Sequence, residues 1–333
     1  MDNGLDAFSS LDLIGESSLF RATLHMIRRL ASCDATVLIQ GEIGTGKEVA
    51  ARAIHYLSSR RDGPFIPVNC GAVPDTLFED ELFGHVRGAF TDARDTAIGL
   101  IATADGGTLF LDEVEALSPK GQVALLRFLQ DGMYRPLGGK RLLEANVRVV
   151  GASNELLREQ VTRGEIRADL MYRLAVMPLD LPPLRARGGD IRLLAEHFVA
   201  RFNAQYRTAK QLSQASLAAL DAYDWPGNVR ELENLLHREV LLCDGATIEL
   251  AERLAGSDRA AAGPEHDALL FERGFRAAKA SCLAEFERKF VCWALDQAGG
   301  NVSAAARRAG KERRSFGRLM KKYAVGRDRS VAS

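Results

Sequence analysis

The chain has 333 residues, 47% hydrophobic and 26% charged, with 44 basic and 44 acidic side chains. This composition is that of an ordinary globular protein, which excludes disorder as the ground state, and the length calls for two or three folding units rather than one core. No apolar run approaches the roughly 18 residues that span a bilayer, and residues 1–10 lack a basic start followed by an apolar stretch, so a cytoplasmic protein without membrane contact is expected.

Five cysteines, Cys33, Cys70, Cys243, Cys282 and Cys292, are scattered and never spaced as C-x-x-C. They read as reduced packing residues, not as disulfides or zinc ligands. The zero net charge conceals an asymmetry: residues 301–333 hold ten Lys/Arg against two Asp/Glu, which points to nucleic acid at the C-terminal end.

A short extension, residues 1–12, precedes Leu13. From 13 to 181, short β-branched apolar runs alternate with longer amphipathic stretches, predicting strands at 36–40, 65–69, 108–112, 147–153 and 177–181. This order predicts an α/β core with a parallel sheet between helices. Beyond Leu181-Pro182-Pro183-Leu184 no further strand is expected. Residues 182–255 read as a small helical lid, with breaks near 209–211 and at Trp225-Pro226-Gly227. Residues 256–267 mix Gly, Ala, Pro and charge without period and form a linker. Helices return over 268–333.

Directly after the first strand comes Gly41-Glu42-Ile43-Gly44-Thr45-Gly46-Lys47-Glu48, opening a helix that runs through 49–57. The glycines let the backbone curl so that successive N–H groups and the helix N-terminus face a phosphate, while Lys47 reaches its β and γ oxygens. The residue after the lysine is Glu48, where the general pattern places a Ser or Thr that binds Mg2+, so the ion must be held from elsewhere or through water. The strand 108–112 ends in Asp112 and Glu113. Asp112 is placed to hold Mg2+ or its water, and Glu113 to orient and deprotonate the attacking water of ATP hydrolysis.

Together with Glu81-Leu82-Phe83-Gly84-His85 and Gly88-Ala89-Phe90-Thr91-Asp92-Ala93, these residues resemble the AAA+ activators of sigma-54 RNA polymerase, the bacterial enhancer-binding proteins. The likeness covers about 13–254 and resumes in the C-terminal helices; it makes Glu48 a family feature. It implies an AAA+ core with a helical lid, ATP and Mg2+ as cofactors, and a hexameric ring. It also implies that 88–93 is the loop that touches the sigma factor, reading GAFTDA where the family has GAFTGA. The segment's own chemistry, small residues around a lone Phe90, is that of a presented loop, with Phe90 as a buried anchor the other reading. Asp92 puts a charge where the family uses glycine.

The resemblance assigns further roles. Asn69 would hold Glu113 in a switched-off pose through a hydrogen bond, and Asn154 would sense the γ-phosphate. Arg167 and Arg173 would reach the neighbouring subunit's nucleotide, a task suited to a rigid, permanently charged fork. Ile14 and Gly15 would line the adenine pocket. Arg230 stands in the first turn of a helix expected at 229–242, where a cation opposes the helix dipole. A phosphate sensed from the lid, as in the family, or a salt bridge to Glu233 would compensate it.

Near the C-terminus, Gly299-Gly300-Asn301 ends a helical run over 280–298 and offers Asn301 as an N-cap. The next helix has Val302, Ala305, Ala306 and Ala309 on one face, Gly310 turns the chain, and the last helix repeats the spacing with Phe316, Leu319, Met320 and Tyr323. Its other face carries Arg313, Arg314, Ser315, Arg318, Lys321 and Lys322. This is the pattern of a helix-turn-helix, with Arg314, Ser315 and Arg318 toward base edges and Arg313, Lys321 and Lys322 toward phosphates. A solvated basic face is the plain alternative. The segment resembles the Fis-type domain that ends many family members, and 280–298 would supply its dimer surface.

The function expected is ATP-driven remodelling of the sigma-54 holoenzyme by a ring tethered to enhancer-like upstream DNA. With so little chain ahead of the ATPase there is no room for a receiver domain, so control is expected in trans, through a partner protein or the amount made. The rival reading is a DNA-bound AAA+ regulator whose altered GAFTDA loop no longer remodels sigma-54. A general AAA+ unfoldase would lack the ELFG and GAFT segments.

Overall fold

The computed structural model describes residues 8, 11–91, 93–251, 254, 294–295, 298, 301–309 and 313–322. The chain divides into two units, Met1–Leu254 and Ala255–Ser333.

The first unit opens with α1 (Ser18–Ala31), β1 (Val37–Gln40), α2 (Lys47–Tyr56), β2 (Phe65–Asn69) and α3 (Asp75–Phe83). A two-stranded hairpin, β3 (Gly84–His85) with β4 (Ala97–Ile98), leads through α4 (Leu100–Thr103) to β5 (Thr108–Asp112) and α5 (Pro119–Asp131). A second hairpin, β6 (Met133–Tyr134) with β7 (Leu143–Glu144), precedes β8 (Arg148–Ser153), α6 (Leu157–Arg163), α7 (Ala168–Leu174) and β9 (Met177–Asp180). Five strands form one parallel sheet in the order β2-β5-β8-β1-β9.

Strands β5, β8 and β1 are buried along almost their whole length, which is why TLFLD, RVVGAS and VLIQ read as continuous rather than alternating apolar runs. Leu109 and Leu111 join a core with Val149 and Leu170 on one face, while Phe110 joins Ile39, Ile54 and Val150 on the other. Because every strand runs the same way, Gln40, Asn69, Asp112 and Ser153 end along one edge, where open α/β sheets bind ligands.

The lid contains α8 (Asp190–Tyr206), α9 (Gln214–Ala222) and α10 (Asn228–Leu242). Its core centres on Trp225, fully buried, whose indole N–H donates to the Leu220 carbonyl at 2.9 Å. Against the expectation of no strand here, β10 (Gln211–Leu212) pairs in parallel with β11 (Thr247–Ile248). Two residues per strand are too few to show a period in sequence, and the pair is held by tertiary bonds, among them Lys210 Nζ donating to the carbonyls of Cys243 and Gly245.

In the second unit, α11 (Val302–Arg308) and α12 (Arg313–Lys322) pack through Ala305, Ala306 and Phe316, all buried. Alanines at the contact let the helix axes approach closely. Asn301 caps α11, its side-chain oxygen accepting from the N–H groups of Ser303 and Ala304 at 3.0 and 3.1 Å. Gly310, Tyr323 and residues 280–293, with most of the expected dimer surface, lie outside the described residues.

Candidate active site

The phosphate loop is shaped by backbone conformation. Gly44 and Gly46 have φ of +78° and +97°, a region side-chain-bearing residues rarely adopt. The loop delivers Lys47 to the first position of α2, buried, with Nζ donating to the carbonyls of Gly41 (2.8 Å) and Glu42 (3.1 Å) and to Asn154 Oδ1 (2.7 Å). Burial lowers the proton affinity of this ammonium, while the charges of Asp112, Glu115 and Glu113 oppose the fall. Such a group, ringed by neutral oxygens, is ready to exchange them for phosphate oxygens. Thr45 Oγ1 is turned inward onto the Glu42 carbonyl at 2.8 Å. The Glu48 carboxylate pairs with Arg52 at 2.7 Å on the open side of α2, and the Ile43 side chain is exposed.

Asp112 ends β5 half-buried, its Oδ1 accepting the Glu113 N–H at 3.0 Å. Burial pushes the Asp112 carboxyl above the usual carboxylate range, against the Glu113 N–H and the Lys47 charge. Glu113 itself has φ +54°, an uncommon left-handed conformation for a glutamate, which turns the chain off the sheet into a tight 3-10 turn, Val114–Ala116. The donor set available here is hard carboxylate oxygen, with no cluster of three His, Cys, Asp or Glu among the described residues. It fits Mg2+, which takes one or two carboxylates and completes its shell with water and substrate phosphates.

The expected hydrogen bond between Asn69 and Glu113 is not formed. Asn69 Oδ1 accepts instead from the N–H groups of Gly71 (2.9 Å) and Ala72 (3.0 Å), closing the turn after β2. The two side chains meet across Gly71: a Cβ there would lie 2.8 Å from Glu113 Oε2 and 3.4 Å from Asn69 Oδ1.

The lid seats directly on the phosphate loop. Asn228, fully buried, donates from Nδ2 to the Ile43 carbonyl (2.9 Å) and Glu42 Oε2 (3.2 Å), and accepts the Leu184 N–H on Oδ1 (2.8 Å). Arg185 pairs with Glu42. The Gly44 carbonyl accepts the backbone N–H groups of Val229 (3.0 Å) and Arg230 (3.4 Å). The salt bridge from Arg230 to Glu233 is not made: Glu233 pairs with Arg201 on α8, and Arg230 is exposed. Ile14 packs against the lid core and its carbonyl accepts from Arg187 Nη2 at 2.6 Å. Gly15 lies so close to Asp190 that a Cβ would come within 2.6 Å of Oδ2.

Arg167 and Arg173 are both exposed and held within the chain. Arg167 pairs with Asp169 at 2.7 Å; Arg173 donates to the Leu129 and Gln130 carbonyls at the end of α5, at 3.0 and 2.9 Å. Sequence reasoning missed Gln122, a buried amide that accepts the Arg167 N–H at 2.9 Å and donates to the carbonyls of Leu117 and Glu165 at 3.0 and 2.9 Å. Its signal was a polar residue on the apolar face of α5. Asn228 and Glu115 were missed too, since their partners lie far away in sequence.

The segment 88–93 is the tip of the β3/β4 hairpin. It closes through Gly88 N–H to the Ala93 carbonyl at 2.8 Å, with Ala89 half-buried, Thr91 exposed and Ala93 buried. Phe90 is 43% exposed, so it is not a buried anchor; its ring meets the edge of His85 at 5.0 Å, and His85 pairs with Asp80 of α3 at 2.6 Å. Asp92 lies outside the described residues. On α12, Arg313 and Lys322 are exposed; the side chains of Arg314, Ser315, Arg318 and Lys321 lie outside the described set.

The sigma-54 interaction domain family matches residues 13–180, the AAA+ ATPase lid domain 185–264, and the bacterial regulatory protein family of Fis type 283–323. The chain belongs to the sigma-54 activator family. Among its relatives, the phenol regulator MopR of Acinetobacter guillouiae is 42% identical over 96% of the chain and 57% of its own length. The nitrogen fixation protein AnfA of Azotobacter vinelandii is 38% identical over 96% of the chain and 59% of its own length. The chain thus spans a little over half the length of these relatives. Its structure resembles the crystal structure of NtrX from Brucella abortus in complex with ATP, with a TM-score of 0.70 and 31% identity over 94% of the chain and 69% of NtrX. Among the described residues, no helix is long and apolar enough to cross a membrane.

Proposed function

We propose that this sigma-54 activator hydrolyses ATP at Lys47, Asp112 and Glu113 and uses the cycle to move the loop 88–93 against the sigma-54 holoenzyme, opening promoters while its C-terminal helices hold it on upstream DNA. The observation that carries the reading is the convergence on Lys47, where phosphate loop and Asn154 meet at the sheet edge that also ends in Asp112.

The chain's residues divide the work. Lys47 exchanges its neutral oxygen partners for those of the triphosphate, and the curled N–H groups of 41–47 hold the phosphates. Asp112, together with water, would hold Mg2+, and the ion would supply charge neutralisation at the phosphates. Glu113 orients the attacking water and takes its proton, and Asn154 reads the γ-phosphate position. Arg230 and the lid close over the phosphates, with Ile14 and Gly15 at the base side. Arg167 and Arg173 leave their surface partners for the adjacent protomer's nucleotide when the hexameric ring forms; an exposed ion pair such as Arg167–Asp169 is worth little and releases easily, and Arg173 gives up only two carbonyl acceptors. Gly88, Ala89, Phe90, Thr91, Asp92 and Ala93 engage sigma-54, α12 enters the major groove, and the C-terminal unit pairs as a dimer.

The test measures ATP turnover across protein concentration beside open-complex formation with sigma-54 polymerase. Turnover that rises with assembly, together with open complexes, supports the reading; a chain that neither binds nor cleaves ATP in any assembly state overturns it. Hydrolysis without open complexes favours the DNA-bound regulator that Asp92 keeps in view.

A further inference from the structure

We propose that Glu115 is a positioning residue of the nucleotide site, fixing the backbone of Asn154 and thereby the amide oxygen that Asn154 presents to Lys47. The inference rests on the site being the ATPase centre described above, but its geometry stands separately.

Glu115 sits in the 3-10 turn Val114–Ala116, which starts at the left-handed Glu113. Its Oε1 accepts the Asn154 N–H at 2.9 Å, bridging the end of β5 to the end of β8. Its Oε2 is buried and has no hydrogen-bond partner among the described residues. Burying a carboxylate oxygen unsatisfied is unfavourable, so an acid at this place needs a reason beyond ending a turn. The reason is local. Residue 154 follows the last residue of β8 and has no ladder partner for its N–H, and a charged acceptor makes a bond about twice as strong as a neutral one. Ser153 Oγ donates to the Glu155 carbonyl at 2.8 Å, so the segment is pinned on both sides of Asn154. From this pinned backbone the Asn154 side-chain oxygen accepts from Lys47 Nζ at 2.7 Å. The negative charge of Glu115 also favours the ammonium form of Lys47, partly offsetting its burial.

The experiment compares full-length Glu115→Ala and Glu115→Gln with wild type by residue-resolved hydrogen exchange at the Asn154 amide and by kcat and KM for ATP hydrolysis. Glu115→Ala should speed Asn154 exchange about tenfold or more and lower kcat about tenfold to hundredfold, the usual effect of removing an outer support, with KM within about threefold. Glu115→Gln keeps an oxygen acceptor and should restore most of both. Unchanged Asn154 exchange in Glu115→Ala, or a Gln variant as unprotected as the Ala variant, overturns the proposal. A wild type with the protected amide but no hydrolysis would sink the ATPase reading and leave this positioning role standing.

Discussion

Asn228 Nδ2 lies 2.9 Å from the Ile43 carbonyl oxygen, so the lid hydrogen-bonds the backbone of the phosphate loop itself rather than merely covering it. The same amide accepts the Leu184 N–H, fastening the end of the core to the start of the lid. Loop shape and lid position are therefore one mechanical unit.

Replacing Asn228 with Ala leaves the Leu184 N–H and Ile43 carbonyl without this partner in a buried place. A loss of about 1–3 kcal/mol per unsatisfied group is expected, a fall in melting temperature of roughly 2–4 °C per kcal/mol, with weaker nucleotide binding. Thermal melts with and without ATP read both effects, and an unchanged melting temperature would refute the coupling. Gly44→Ala should be worse, since its φ is +78° and the new Cβ would collide with the Gly227 carbonyl.

Glu113→Gln should bind ATP normally and lose about a hundredfold or more of turnover, the usual contribution of a general base. Fluorescent-nucleotide binding beside steady-state hydrolysis separates the two. Normal turnover would remove Glu113 from the mechanism. Gly71→Ala, which crowds Glu113 Oε2, should lower kcat in the same direction by displacing the carboxylate.

The buried pair Arg187–Asp190 gives the fold an acid limit. Burial raises the Asp190 carboxyl, but the N–H groups of Glu16 and Ser17, the Ser17 hydroxyl and Arg187 outweigh it, and the net shift is downward. A depressed carboxyl contributes stability that is complete above its unfolded value of 3.8 and is lost as pH falls through the still lower folded value. Denaturant unfolding from pH 7 to 3 should show the onset of this loss in wild type. In Asp190→Asn the acid dependence should flatten while neutral stability falls by about 3–5 kcal/mol, because Arg187 is left buried and unpaired. A variant with the wild-type pH profile would show that the pair carries no such linkage.

Phe90→Ala should leave ATP turnover within about twofold, since its ring packs on His85 of the β3/β4 hairpin and makes none of the contacts to Lys47, and abolish promoter opening. Asp92→Gly should raise opening at unchanged turnover. Permanganate footprinting of promoter DNA reports the opening; a Phe90→Ala protein that opens promoters at the wild-type rate would exclude the loop as the contact.

For the DNA end, Arg313→Ala should weaken binding about equally on all sequences and reduce the salt slope of log K by about one, as loss of one phosphate contact requires. A slope that does not move would assign Arg313 elsewhere.

Much of the architecture was legible residue by residue. The strands fell where β-branched runs lie, the glycines of 41–48 marked a backbone that must bend, and Asn301 followed by an alanine face announced a capped helix. These signals are short-range: torsional preference, capping and apolar period act between neighbours, so the amino-acid sequence alone determines them. Asn69 shows where such reasoning stops. Its side chain could donate to Glu113 or close its own turn, and its oxygen accepts from the nearby N–H groups of Gly71 and Ala72. The bond from Asn228 to Glu42 spans 186 residues, the hold of Glu115 on Asn154 spans 39, and that of Gln122 on Arg167 spans 45. No local pattern encodes which buried donor finds which acceptor across such distances. That was decided only when strand order and lid docking brought the groups together, because a buried polar atom must take a partner within about 3 Å of wherever packing leaves it.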